Sequence, residues 1–395
     1  VTAYLDHAAT TPMLPSAVAA MTEQLTRTGN ASSLHTSGRL ARRAVEEARE
    51  HLARAVGARP SEVVFTSGGT EADNLAVAGT FAARHEEDHA RVRIISSSIE
   101  HHAVLDCVDH LVATGGAKAT FVEPDRDGRI TPEAVRAAIG EDPDSVALVT
   151  VMWANNEVGT VQPVAEIAAV AHEFGIPFHT DAVQALASLE VDFAASGADL
   201  MSITAHKVGG PMGVGALVAR RDAVVAPQSF GGGQERQIRS GTLNVAAIRA
   251  FAVAVEEAVA IRPTEVRRLV GLRDRLLGAA LQLGLDIAVG GTWQAGDGIH
   301  RLAGNAHLLV PGCEGDSLLY LLDAAGVECS TGSACQAGVP QPSHVLLAMG
   351  IPAHEARGAL RLTLGHTSTD ADVDAVLEAL PGAVARARRA NGLVT

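Results

Sequence analysis

Between about residue 60 and residue 220, short β-branched runs alternate with longer stretches of helical period, and this alternation constrains the fold more than any other feature of the chain. The candidate strands are Glu62–Phe65, Val92–Ser97, Ala119–Val122, Val146–Met152, Pro177–Thr180, Leu200–Thr204 and Gly215–Ala219. Between them, Thr70–Ala83 carries Leu75, Ala78, Phe81 and Ala82 on one face, and Val164–Phe174 carries Ile167, Val170, Ala171 and Phe174. The pattern predicts an α/β fold around a mainly parallel sheet.

At 395 residues the chain exceeds one ordinary core. A second part is expected after Ile261-Arg262-Pro263, where an alanine-rich helix should end and Thr264 should cap a charged helix running to about Leu283. Strands near Ala306–Val310 and Leu360–Leu364, with helices such as Asp316–Ala325 and Asp370–Arg388, then describe a smaller α+β domain. No apolar run reaches the length of about 18 residues that a bilayer demands. Val1 to Thr11 lacks the basic-then-apolar form of a signal peptide, so a cytoplasmic protein without membrane contact is expected. A net charge of −14 argues against general binding of nucleic-acid backbones. Cys107, Cys313, Cys329 and Cys335 form neither a disulfide framework nor a C-x-x-C pair, and no metal site is expected.

Open α/β sheets bind ligands beyond the carboxyl ends of their strands, so the polar residues there are read together. Thr66-Ser67-Gly68-Gly69-Thr70-Glu71 opens a helix, with Thr70 and Asp73 at capping-box spacing. Its glycines and free N–H groups suit a phosphate, although an ordinary glycine-rich helix start reads the same way. Neither G-K-[ST] nor G-x-G-x-x-G is present. Ile99-Glu100-His101-His102 offers an imidazole to lie on an aromatic ligand or to move protons; surface histidines fit the same letters. Asn155 and Asn156 could grip a ligand oxygen or make a turn. Asp181, with Gln184 after it, leaves an apolar strand and needs a cation, which a protonated pyridine nitrogen would supply. Lys207 lies among Ala205, Val208, Gly209 and Gly210 with no local acid. Buried, its amine would become nucleophilic; on the surface it would be a plain hairpin lysine. A phosphate cup, an imidazole, a buried carboxylate and a lysine, in that order, are what pyridoxal phosphate requires.

With those residues, and with Y-L-D-H-A-A-T-T-P (4–12), G-N-A-S-S-L-H (29–35), R-S-G-T (239–242), S-T-G-S-A-C (330–335) and L-R-L-T-L-G (360–365), the chain resembles the cysteine desulfurases of the aminotransferase class V family. The likeness is to the housekeeping type that supplies sulfur for iron–sulfur clusters, and it covers nearly the whole chain. It implies a pyridoxal-phosphate fold type I homodimer, with a large cofactor-binding domain at 16–262 and a small domain made of 1–15 and 263–395. By the same resemblance Lys207 binds the cofactor covalently, His101 stacks on it and shuttles protons, and Asp181 pairs with its ring nitrogen. Gln184 and Asn156 contact its phenolic oxygen and the substrate side, while Gly69, Thr70, Thr204 and His206 hold its phosphate with Thr242 from the partner subunit. Arg361 takes the substrate α-carboxylate, for which its fork is apt.

Cys335 separates this resemblance from other members of the class. Gly332 to Gly338, followed by Pro340 and Pro342, has no periodic apolar face and reads as a loop that could carry a thiol from a buried cofactor to a distant acceptor. The implied reaction converts L-cysteine to L-alanine and leaves the sulfur on Cys335 as a persulfide, for an iron–sulfur scaffold or another acceptor protein. Selenocysteine lyase, another class V activity and a non-catalytic cofactor-binding scaffold are the rivals. Cys107 is expected in the core. Ala31, His102 and Ala205 depart from the family's usual residues without removing a group the chemistry needs.

Overall fold

Seven strands form the central sheet of the structure, a computed structural model that describes residues 2–332 and 341–392. Their order is Val63–Thr66, Gly215–Ala219, Leu200–Thr204, Phe178–Asp181, Val146–Thr150, Arg93–Ser97 and Lys118–Val122. All run parallel except Gly215–Ala219, which opposes both of its neighbours. Successive residues point to opposite faces, and each face has its own core. Val64, Ile94, Leu148, Leu200 and Leu217 pack with the Gly69–Glu87 helix. Phe65, Ile95, Val149, Met201 and Ala216 pack on the other side, with Val45, Leu52 and Phe251. Cover on both faces is why these strands read as apolar runs rather than alternating ones.

A third core gathers Leu5, Leu276, Leu308, Leu318, Leu360 and Leu380. It lies on an antiparallel sheet ordered Ala359–Thr363, Asn305–Leu309, Ala288–Val289. The N-terminal strand Ala3–Tyr4 pairs in parallel with Val327–Glu328, and Asp6 bridges to Thr363. The start of the chain is therefore built into its last third.

The expected helix break at Pro263 does not occur. One helix runs from Val245 to Leu281 with Pro263 inside it, and its cap is Asn244, whose Oδ1 accepts the Ala247 N–H at 3.1 Å, rather than Thr264. An internal proline costs about 3 kcal/mol. Burial outweighs that cost, because the helix serves two cores. Ala247, Ile248, Phe251 and Val255 pack beneath the central sheet, whereas Leu269, Leu272, Leu276 and Leu277 belong to the third core.

The outer strand Val63–Thr66 is closed by a buried ion pair rather than by another strand. Arg49 forks Glu235 at 2.6 and 2.7 Å and donates to the Val63 carbonyl at 2.7 Å, while Glu235 accepts the Phe65 N–H at 2.9 Å. The pair satisfies an edge that would otherwise lie open to another chain. Arg49→Met should lower the unfolding free energy by about 3–5 kcal/mol, because Glu235 is left buried and unpaired. Urea unfolding checks this, and a loss below about 1 kcal/mol, the range of exposed pairs, would contradict it.

Candidate active site

The parallel strands all end at one edge of the sheet, and their continuations surround a cleft of about 390 Å³. Gly69, Thr70, His101, Asn156, Asp181, Gln184, Thr204, His206, Lys207 and Arg361 all line it. Thr242, expected to reach a partner subunit's site, is exposed and outside this lining, and Cys335 lies outside the described residues. Ser330 and Gly332, shortly before Cys335 in the sequence, do line the cleft.

Lys207 sits in a turn closed by the Val208 and Gly210 N–H groups, which donate to the Ala205 carbonyl at 3.0 and 2.9 Å. Gly209 holds φ +80°, and a Cβ there would meet Leu14 Cγ at 2.7 Å, so both backbone and space demand glycine. The Lys207 ammonium donates to the Ala8 carbonyl and, at 2.8 Å, to that of Ala9. Burial lowers its pKa to about 8; Arg361 acts in the same direction, while Asp6 and Asp181 oppose. The amine is thus close to its reactive neutral form at physiological pH.

Asp181 ends the wholly buried strand Phe178–Asp181. Its Oδ1 accepts the Val183 N–H at 2.8 Å, and among the described residues no lysine or arginine pairs with it. Burial raises its pKa to about 6, offset by Val183 and Lys207. His101 caps the helix His102–Thr114, its Nδ1 accepting the Ala103 N–H at 3.1 Å. The neutral ring therefore carries its proton on Nε2. The ring is open to the cleft but enclosed by protein elsewhere. That enclosure, then Lys207, His102 and His344, lowers its pKa to about 4, so it is neutral at pH 7. His206, also lowered to about 4 by burial and Lys207, pairs Nδ1 with Thr10 Oγ1 at 3.3 Å.

Arg361 comes from the Ala359–Thr363 strand. It donates to the Asn156 carbonyl at 3.0 Å and to Asp6 Oδ1 at 2.9 Å, and its buried Nε has no partner among the described residues. A strand-edge ion pair and a place in the cleft wall thus coexist in one guanidinium. Gln184 donates to the Ala8 carbonyl at 2.8 Å, tying the N-terminal strip to the same wall.

The Thr70–Asp73 capping box is not formed. The helix starts two residues earlier than that box requires, at Gly69 with Gly68 as its cap, and Glu71 accepts the Ser67 N–H at 2.5 Å. Asp73 instead joins Ala76, Val77 and Thr80 on the buried face and lines the cleft. Burial and the nearby carboxylates Asp181 and Glu100 raise its pKa well above the usual range. That phase with the apolar stripe was the available signal for Asp73. Asp6, which anchors Arg361, carried no signal beyond its place in the N-terminal motif.

These residues fit pyridoxal phosphate. The uncapped helix start is an anion site, Asp181 is a buried carboxylate lacking a cation, and Lys207 is an amine of lowered pKa. Gly69 leaves the cradle open, since a Cβ there would come within 2.9 Å of Val183 Cγ2. Lys118 and Lys207 are the chain's two lysines, and Lys118 is exposed. In the cofactor-free protein, reductive alkylation with a small aldehyde should modify Lys207 with a midpoint near pH 8, read by mass spectrometry of its peptide. A midpoint for Lys207 near the usual lysine value of about 10.4 would contradict the buried-amine assignment.

The model of the aminotransferase class-V family matches residues 3–376. An IscS-like cysteine desulfurase of Mycobacterium tuberculosis is 58% identical over 388 residues, covering 98% of each chain. Among solved structures, a NifS-like protein superposes with a TM-score of 0.86 at 31% identity, covering 100% of both chains. A structure of SspA in complex with cysteine superposes with a TM-score of 0.78 at 33% identity, covering 93% of this chain and 100% of that one. The chain belongs to the aminotransferase class-V family, among its cysteine desulfurases.

Proposed function

We propose that this protein is a pyridoxal-phosphate-dependent cysteine desulfurase that takes sulfur from L-cysteine onto Cys335. The observation that carries the reading is the convergence of Lys207, Asp181 and Arg361 in one cleft. The SspA structure, solved with cysteine, supports the choice of substrate.

Arg361 binds the substrate α-carboxylate through its fork and orients Cα toward Lys207. Pyridoxal phosphate, when bound, supplies an electron sink for negative charge at that carbon. Asp181 keeps positive charge at the pyridine nitrogen favourable, and Lys207 Nζ, near its neutral form, moves the Cα proton. His101 lines the cleft with its proton on Nε2, placed to donate a hydrogen bond to the attacking thiolate. The Cys335 thiolate then attacks the substrate sulfur. The S–S bond forms as the Cβ–S bond breaks, the electron pair leaves with Cβ, and a proton there completes L-alanine.

The other cysteines are poor carriers. Cys107, Cys313 and Cys329 are buried, and burial raises each thiol, to about 11 for Cys107 and about 12 for Cys329. A thiol so raised offers almost no thiolate at neutral pH. We further assign residues 16–262 to a cofactor-binding domain, and 1–15 with 263–395 to a smaller one. The exposure of Thr242 suits a homodimer in which it completes the partner's phosphate site. A cytoplasmic location accords with there being no helix, among the described residues, long and apolar enough to cross a membrane. The sulfur acceptor is an iron–sulfur scaffold or another sulfur-accepting protein.

After exposure to L-cysteine, the peptide containing Cys335 should gain one sulfur, roughly 32 Da, the lowest oxidised state of a thiol–sulfur pair. Cys335→Ser should retain a spectral response to L-cysteine but form no persulfide and no alanine. Sulfur on another cysteine, or full turnover in Cys335→Ser, would remove this carrier. Asp181→Asn should bind the cofactor yet make alanine at least about a hundredfold more slowly, as expected for loss of a preorganised charge. Near-normal alanine production would contradict the role given to Asp181.

A further inference from the structure

Glu157 has no part in the chemistry above, yet it is a carboxylate only 2% exposed, one residue from Asn156 in the cleft wall. Its turn is rigid. Asn155 Oδ1 accepts the N–H groups of Glu157 and Val158 at 2.9 and 3.0 Å, and Asn155 Nδ2 donates to the Ile99 carbonyl at 3.0 Å. Such a carboxyl is costly to bury, and burial raises its pKa, with Ser343 the principal offset. What it gains are the two flanks of residues 333–340. On the outgoing side, Gly332 lies beside it, close enough that a Cβ at Gly332 would be 3.4 Å from both Glu157 Cγ and Oε2. On the returning side, Ser343 Oγ donates to Glu157 Oε2 at 2.5 Å and also accepts the Leu346 N–H at 3.2 Å.

Both flanks are also referenced to the cleft. The Asn156 carbonyl takes Arg361, and Arg361 exchanges backbone hydrogen bonds with Ser330 at 2.7 and 3.1 Å. Ser330 Oγ in turn accepts the Gly332 N–H at 3.1 Å. His344 Nε2 meets the Glu100 carbonyl at 3.0 Å, and its ring lies edge-on to His102 at 5.0 Å.

We propose that Glu157 is a positioning residue for sulfur transfer, fixing where the Cys335 segment leaves and rejoins the fold relative to Arg361 and His101; this rests on Cys335 being the carrier. The physical reason is the short tether. At most 3.6 Å per residue, Cys335 can lie no more than roughly 11 Å from Gly332. Misplacement of that departure point by about 1 Å is enough to cost on the order of a hundredfold in an oriented reaction. Glu157 acts on the thiol's approach and not on cofactor or substrate binding.

The test is single-turnover reaction of the full-length holoenzyme with L-cysteine, in wild type, Glu157→Ala, Glu157→Gln and Ser343→Ala. Persulfide on Cys335 is followed by mass spectrometry, and the spectral response is followed against L-cysteine concentration. Glu157→Ala should slow persulfide formation by about ten- to a hundredfold, with the cofactor Kd and the concentration dependence of the spectral response unchanged. Glu157→Gln, which keeps an oxygen for the Ser343 hydroxyl, should recover most of the rate, and Ser343→Ala should share the defect. Limited proteolysis of the cofactor-free protein should cut between residues 332 and 343 faster in Glu157→Ala. An unchanged rate in Glu157→Ala and Ser343→Ala overturns the role, as does a parallel loss of cofactor binding, substrate response and transfer. Sulfur found on another cysteine in the wild type overturns the carrier assignment and this role with it.

Discussion

A carboxylate carried out of a wholly buried strand needs a compensating charge, and the cleft is arranged around that need at Asp181. Its surroundings increase the demand. Asp73 and Glu100 are buried close by, and burial raises Glu100 to about 8, against the Ser97 hydroxyl and the Met152 N–H that its Oε1 accepts. Glu100 Oε2 has no partner among the described residues. The Asp181 charge raises the pKa of both Asp73 and Glu100, so a cation arriving beside Asp181 relieves all three. An apolar ligand would leave that stress in place, whereas a pyridinium removes it.

Lys207 is held back from Asp181 by a different part of the chain. The Ala8 and Ala9 carbonyls receive its ammonium, the Ala8 carbonyl also takes Gln184, and Asp6 holds Arg361. Residues 6–9 thus set the positions of the amine, the amide and the guanidinium at once. They are fixed by the Ala3–Tyr4 pairing with Val327–Glu328 and by the Asp6 bridge to Thr363. Contacts hundreds of residues apart in sequence bring two cores to a single cleft.

The sheet was legible because its signal is local: Leu200–Thr204 and Gly215–Ala219 are apolar runs bounded by turn residues, and the strands lie where those runs are. The cleft was legible in part because parallel strands place their ends together, so the polar residues after each strand had to meet. The helix through Pro263 was not, since a local stop signal lost to burial against two cores that only the tertiary fold reveals. Asp73 was misread as a cap for a similar reason: whether its face is solvent or core depends on what packs there. The Asp6–Arg361 pair joins the two ends of the chain, and no spacing rule links residues so far apart.

The central claim is that Asp181 holds a positive charge at a pyridine nitrogen. Nitrogen NMR of the protein loaded with pyridoxal phosphate labelled at the ring nitrogen measures that charge directly. The account predicts a protonated nitrogen at neutral pH in the wild type and its loss in Asp181→Asn. An unprotonated nitrogen in the wild type, or a protonated one that survives the substitution, would contradict it.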